Sequence, residues 1–382
     1  MTVREGSVPD IRIAGVGMTR FGKRPESLQA LMAEAARAAL ADGGGERPDA
    51  IVVASMNPEE FVGEGNFASQ IATYIGFART PALRAETATS SGAAALFSAY
   101  TAIAASVYRS VLVVAGEKMT HLSTPKVSEL IGRSIDPYER SYGATMPALA
   151  ALVTRSFMAK HGVSLKEISL VAVKNHRNGA RNPFAHFQEE VSLEHVLESR
   201  MVADPLRLYH CCPISDGAAA CLLTAGRGPV RIMGIGHGAD YVAVRYRDGL
   251  TSFRATQAAA EAAYRMAGIG PHQVEVAEIH DAFAPFELIT LEDLGIYTPG
   301  KAAHALVHGE TALDGSLPVN PSGGLKARGH PLGASGVAQV VELYWQLTGR
   351  AEGRQVDARV GLAHSIGGLA TSNWVTLLER VE

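Results

Sequence analysis

Three short stretches combine polar side chains with small, turn-forming neighbours, the composition that catalytic loops need. Ala88-Thr89-Ser90-Ser91-Gly92 runs into Ala-Ala-Ala-Leu, which sets hydroxyl groups at the start of an apolar helix. They can serve as simple caps. Alternatively, the free backbone N–H groups and positive dipole of that helix end can meet a developing oxyanion. Residues 323–336 read Gly-Gly-Leu-Lys-Ala-Arg-Gly-His-Pro-Leu-Gly-Ala-Ser-Gly. Here His330 stands in a glycine-rich turn just ahead of a helix, where an imidazole can move a proton or donate to a carbonyl oxygen near neutral pH. The bland alternative is a structural loop histidine. The turn is not a P-loop, because the Gly-x-x-x-x-Gly-Lys-Ser/Thr order is absent. His280-Asp281-Ala282-Phe283-Ala284 follows an apolar strand, a common place for binding groups in α/β proteins, although His280 can also merely cap the turn. A weaker fourth stretch is His364-Ser365-Ile366-Gly367-Gly368, where a strand runs into a glycine turn.

The elements that must carry these stretches alternate. Strands are predicted at 11–16, 51–54, 111–115, 218–223, 230–235, 274–279, 359–363 and 374–378. Helices are predicted at 28–40, 67–75, 93–105, 255–266, 283–294 and 335–347. The order strand, helix, strand, helix, helix, strand occurs twice, which favours layered α/β sheets with covering helices. The alanine-rich helix after Thr89 is apolar all round and is expected to be buried between layers. Residues 118–208 break the rhythm with polar segments such as NHRNGARNPFAHF at 175–187. They read as an insertion with helices of its own, for example 146–161. The expected division is an N-terminal half over 1–225, with the insertion at about 117–212, and a C-terminal half over 226–382.

With 382 residues, 47% apolar and 19% charged, the chain has the make-up of a compact enzyme. A net charge of −3 gives no strong field toward nucleic acid or an anionic membrane. No apolar run reaches the ~18 residues of a membrane span, and the opening MTVREGSVPDIRIAGVG has no signal-peptide core. Three cysteines, Cys211, Cys212 and Cys221, are too few for a disulfide framework and fit a reducing cytoplasm. Gly-Val-Gly-Met-Thr-Arg at 15–20 lacks the third glycine of a dinucleotide fingerprint, and no Cys/His spacing suggests zinc or another metal.

In combination and order, these stretches resemble the thiolase superfamily, in its sterol-carrier-protein-like and archaeal acetyl-CoA acetyltransferase branch. The resemblance also takes in Tyr142-Gly143-Ala144-Thr145, the NHRNGARNP run and Cys-Cys-Pro-Ile-Ser-Asp-Gly-Ala-Ala-Ala at 211–220. It implies an α/β thiolase fold: two similar five-stranded βαβαβαββ halves stacked in five layers (α-β-α-β-α), with a loop domain inserted in the first. It also implies a homodimer, commonly assembled into tetramers, and acyl-CoA as substrate with no further cofactor. By the same resemblance, His330 activates the nucleophile and binds the thioester oxygen, and His280 completes an oxyanion hole for the enolate. Gly367 or Gly368 helps the residue-89 amide form a second hole. Lys174, Arg177 and Arg181 are candidates for the CoA phosphates.

The family's Cys-x-Ser-Gly reads Thr89-Ser90-Ser91-Gly92 here, so the acylated cysteine is expected to be replaced by Thr89. The second cysteine, which shuttles the α-proton, falls at Ser365 or Ala282. A free thiol has a pKa of ~8.5 that a histidine and a helix end readily lower. An aliphatic hydroxyl needs a strong positioned base, and a β-branched side chain crowds the path of attack. Cys211 and Cys212 read as structural thiols. The expected activity is therefore making or breaking a carbon–carbon bond next to a thioester without the cysteine. One version is a modified acyl transfer. The other is retro-aldol cleavage of a β-hydroxyacyl-CoA, which thiolase-like aldolases perform with tyrosines and a zinc-ribbon/OB-fold partner protein; Tyr142 and Tyr297 are the candidate tyrosines. A non-catalytic acyl-CoA- or lipid-binding subunit is the remaining reading.

Overall fold

The computed structural model describes residues 10–381. The first nine residues of the stretch read for a signal peptide lie outside them. Among the described residues eleven strands form: β1 (Ile11–Met18), β2 (Ala50–Ala54), β3 (Ala82–Ala85), β4 (Ser110–Glu117), β5 (Met201–Ala203), β6 (Leu206–Arg207), β7 (Gly217–Ala225), β8 (Val230–Ala239), β9 (Val276–Glu278), β10 (Val360–Gly367) and β11 (Ser372–Arg380). In the first half β3, β2 and β4 are parallel, and β7 and β1 close the sheet antiparallel. The second half repeats the plan, with β9 parallel to β10 and then β11 and β8 antiparallel.

Side-chain alternation builds the layers. Val52, Val113 and Leu223 point inward to the helices Ser91–Ala104 and Ser335–Leu347, and Val276 and Ala363 reach the same helices from the other half. The outward set of the first half, with Ile51, Val53 and Leu112, packs on the helix Leu28–Asp42. The outward set of the second, with Leu362, Val375 and Leu377, shares a core with the helix Arg254–Ala267. Sheets covered on both faces read as continuous apolar runs, which is why the strands were legible. The five α-β-α-β-α layers follow.

Two details depart from the expectation. The halves are joined edge to edge through β1 and β8 at only two residue pairs, Arg12↔Arg231 and Ile13↔Val230. The fifth strand of the second half is reduced to a single bridge, Ala277↔Val319.

The insertion lies between β4 and β7. Its helix Met146–His161 forms where the spacing placed it, behind a Thr145 cap. The following helix, Leu165–Gly179, opens with a Ser164/Glu167 capping box and extends through Asn175, His176 and Arg177. The sequence hid its C-terminal end because the face buried there is polar: Asn175 is buried and donates to Asp281 (2.7 Å) and Glu287 (2.8 Å). The edge strand β3 also escaped notice, being four residues long with Leu83 exposed. Among the described residues no helix is long and apolar enough to cross a membrane.

Candidate functional site

The two central helices start at nearly the same place. A Cβ on Gly92 would lie 2.6 Å from the Gly333 carbonyl, and one on Gly336 would lie 2.7 Å from the Ala93 nitrogen. Only glycine lets the helix starts approach this closely, and the approach brings Thr89 from one half toward the His330 loop of the other. An apolar cavity of about 160 Å³ opens there, lined by Thr89, His280 and His330, by Phe283, Phe286, Leu332, Ile366 and Gly368, and by insertion residues including Met146, Cys211 and Cys212.

The histidines come from two turns that are fastened together. Asp281 is buried and accepts from the Leu325 amide (2.6 Å), which ties the turn after β9 to the 323–330 turn. Lys326 crosses between them, donating to the carbonyls of His210 (2.6 Å) and Ala282 (3.2 Å). Glu117 at the end of β4 accepts from the amides of Gly333 (3.0 Å) and Met56 (2.8 Å) and from Ser55 Oγ (2.8 Å). It thereby anchors the His330 loop to the first half, and burial raises its pKa.

His280 and His330 meet edge to face, with centroids 5.0 Å apart and planes at 88°. His330 Nδ1 pairs with Ser335 Oγ at 2.6 Å, leaving Nε2 as the ring atom for a ligand. Burial lowers the His330 pKa to about 3, helped by Arg328 and Lys326. Burial, then the neighbouring His330, His364 and Arg328, holds His280 well below the usual histidine value. Both rings are neutral at pH 7, so they act as hydrogen-bond donors and acceptors rather than as fixed cations.

Thr89 is buried, and its hydroxyl donates to the Ile366 carbonyl at 2.6 Å. The neighbouring hydroxyls do not cap as the sequence suggested. Ser90 Oγ donates to the carbonyls of Thr87 and Ser372, and Ser91 Oγ to that of Ala88. Gly367 passes directly over this turn, since a Cβ there would lie 2.4 Å from the Thr87 carbonyl. Gly368, at φ 60°, lines the cavity.

Several candidates are placed differently from their expected roles. Ser365 does not line the cavity; it is buried beside Gly336, and its Oγ has no partner within the protein. Lys174 is buried and pairs with Glu287 (3.0 Å) while donating to the Val319 carbonyl (2.7 Å). Arg177 and Arg181 are exposed, with Arg177 3.9 Å from Glu190. Neither candidate tyrosine lines the cavity: Tyr142 is 77% exposed, and Tyr297 packs into the second-half core.

Cys211 and Cys212, read from the sequence as structural thiols, also line the cavity. No local pattern marks them, because they reach the site through a long-range pairing in which the Cys212 amide donates to the Ala282 carbonyl (2.9 Å). Burial raises the Cys211 thiol and pushes Cys212 up to about 12, so neither is activated. An open cleft of about 510 Å³ lies elsewhere, lined by charges of both signs such as Lys160, Asp248 and Arg254. Among the described residues no three His, Cys, Asp or Glu side chains stand where they could share a metal ion.

Paired α/β halves around two central helices, with one histidine-bearing site shared between them, define a five-layer α/β class. The chain matches the family described as Thiolase, N-terminal domain over residues 11–227, and Thiolase C-terminal domain-like over 236–380. It is 38% identical to the acetyl-CoA acetyltransferase of Methanothermobacter thermautotrophicus over 97% of this chain and 100% of that one. It is 33% identical to human sterol carrier protein 2 over 93% of this chain and 69% of the relative. Among solved structures, the Ltp2-ChsH2(DUF35) aldolase superposes with a TM-score of 0.84 at 23% identity, covering 98% of this chain and 99% of that one. The chain belongs to the thiolase superfamily, in the branch of the archaeal acetyltransferases and sterol carrier protein 2.

Proposed function

We propose that this protein makes or breaks the carbon–carbon bond next to the thioester of an acyl-CoA, with His280 and His330 stabilising the enolate oxygen. The observation that carries this reading is the pair of neutral, perpendicular imidazoles on the wall of an apolar cavity. Neutral N–H donors in a water-poor site stabilise developing charge strongly. The full-length relationship to an acetyl-CoA acetyltransferase supports the acyl-transfer class. Thr89 takes the place of the family's acylated cysteine, and Arg177 and Arg181 remain the candidates for the CoA phosphates. A homodimer or tetramer is the assembly that the family resemblance implies, and the three unpaired cysteines suit the cytoplasm.

A second reading rests on Thr89, whose hydroxyl already donates to Ile366. Retro-aldol cleavage needs no acyl-enzyme. A base takes the β-hydroxyl proton, the Cα–Cβ pair moves to the thioester as an enolate, and the enolate is protonated at carbon. The aldolase superposition supports only the fold, and the zinc-ribbon/OB-fold partner to add is the one that the resemblance to thiolase-like aldolases implies. Incubation with acetoacetyl-CoA plus CoA, and separately with a β-hydroxyacyl-CoA with and without that partner, separates the readings. Cleavage of the first alone supports acyl transfer, and cleavage of the second alone supports retro-aldol chemistry. Acyl-CoA binding by calorimetry without turnover identifies a binding subunit. Absence of both turnover and binding refutes the proposal.

A further inference from the structure

The inner face of β9 and β10 carries polar atoms that the site described above does not use. Alternation puts Val276, Glu278 and His280 on the side facing the helix Ser335–Leu347, together with Ala363 and Ser365 of β10. The register pairs Ala363 with Glu278 at the end of β9, and Ser365 and His280 each follow two residues beyond that last pair. Gln339, on that helix, spans both strands by donating to the carbonyls of Glu278 (3.3 Å) and His364 (2.7 Å). Arg328 reaches the same strip through Glu278, at 3.0 Å from Nη1.

All four side chains are at most 2% exposed. His280 Nδ1, Ser365 Oγ, Gln339 Oε1, Arg328 Nε and Arg328 Nη2 are all without a partner in the protein. Buried polar groups are normally satisfied, so each such atom requires an explanation.

We propose that His280, Ser365, Gln339 and Arg328 hold a fixed internal water that positions the His280 ring from behind. The donor and acceptor inventory decides its orientation. Arginine N–H groups only donate, an amide oxygen only accepts, and a hydroxyl does either. A water accepting from Arg328 has both protons free, one for Gln339 Oε1 and one for His280 Nδ1, with Ser365 as its fourth neighbour. Sites with two to four polar partners are those that retain buried water. A proton on Nδ1 would instead add a donor to a strip already supplied by arginine. The arrangement therefore selects the His280 tautomer with Nε2–H, the one able to donate to an enolate oxygen. Ser365 is a positioning residue in this scheme, and its link to catalysis rests on the function proposed above.

Histidine-labelled protein examined by long-range proton–nitrogen correlation tests this without any substrate. The His280 signals are assigned by their loss in His280→Asn. The expected spectrum shows Nε2 protonated and Nδ1 bare and hydrogen-bonded. Ser365→Ala, and independently Gln339→Leu, should move the Nδ1 resonance and introduce the second tautomer. Thermal melting shows that each variant is folded. With acetoacetyl-CoA and CoA, kcat should fall about tenfold in Ser365→Ala at unchanged KM. A His280 protonated at Nδ1 in the unaltered protein overturns the inference, as does a folded Ser365→Ala whose His280 resonances do not move. If the spectra follow expectation but neither thioester is turned over, the positioning stands and the proposed function falls.

Discussion

Replacing Lys174 by Met separates a structural brace from a CoA ligand. The Lys174 ammonium is buried against Glu287, itself fully buried, at 3.0 Å, and also donates to the Val319 carbonyl at 2.7 Å. Lys174→Met preserves most of the side-chain volume but leaves a carboxylate in the interior with only the amide donors of Asn175 (2.8 Å) and Asn320 (2.6 Å). Removing one partner of a buried pair costs about 3–5 kcal/mol, and the orphaned carbonyl adds about 1–3 kcal/mol at most. Glu287→Gln in the same chain removes the uncompensated charge, so the double variant should recover about 2 kcal/mol relative to Lys174→Met alone. Denaturant midpoints of the four proteins measure the coupling, and calorimetry with CoA measures binding. An unaltered midpoint in Lys174→Met, or a loss of CoA affinity in the folded single variant, would refute the assignment as a brace.

Other perturbations address the site directly. Thr89→Cys should create an acyl-enzyme with acetoacetyl-CoA, seen as added mass on the intact protein, because a thiol needs far less activation than a hydroxyl. Thr89→Ala should retain carbon–carbon cleavage under the retro-aldol reading, and a complete loss there would implicate the hydroxyl in the reaction. His330→Ala should lower kcat by about 10²–10³-fold, the usual cost of one oxyanion donor, and an unaltered rate would exclude the ring from the hole. Asp293 carries a pKa raised by burial to about 6, above its unfolded value. Its contribution is therefore complete below the unfolded pKa near ~3.9 and is lost as pH rises through about 6. Asp293→Asn should flatten the dependence of stability on pH across that window, as measured by thermal melting at pH 4 and pH 7.

The layers were legible because both sheets are covered on both faces, so their strands are uninterrupted apolar runs that any window detects. Met146–His161 was legible for the complementary reason, with an apolar stripe behind a threonine cap. Leu165–Gly179 was missed toward its C-terminal end because that end packs against the polar side chains of Asp281 and Glu287. A buried polar face looks like a surface loop until its partners are known.

By itself the sequence determined the family, the doubled α/β plan and the two histidine turns, since each is written in contiguous residues whose spacing and glycine content fix local geometry. Only the tertiary structure decided which polar groups face the cavity. It left Ser365 out of the cavity wall, buried beside Gly336, buried Lys174 against a carboxylate more than a hundred residues distant, and brought Cys211 and Cys212 into the site through one backbone pairing. Side-chain direction and charge burial depend on partners far along the chain, and no local window contains them.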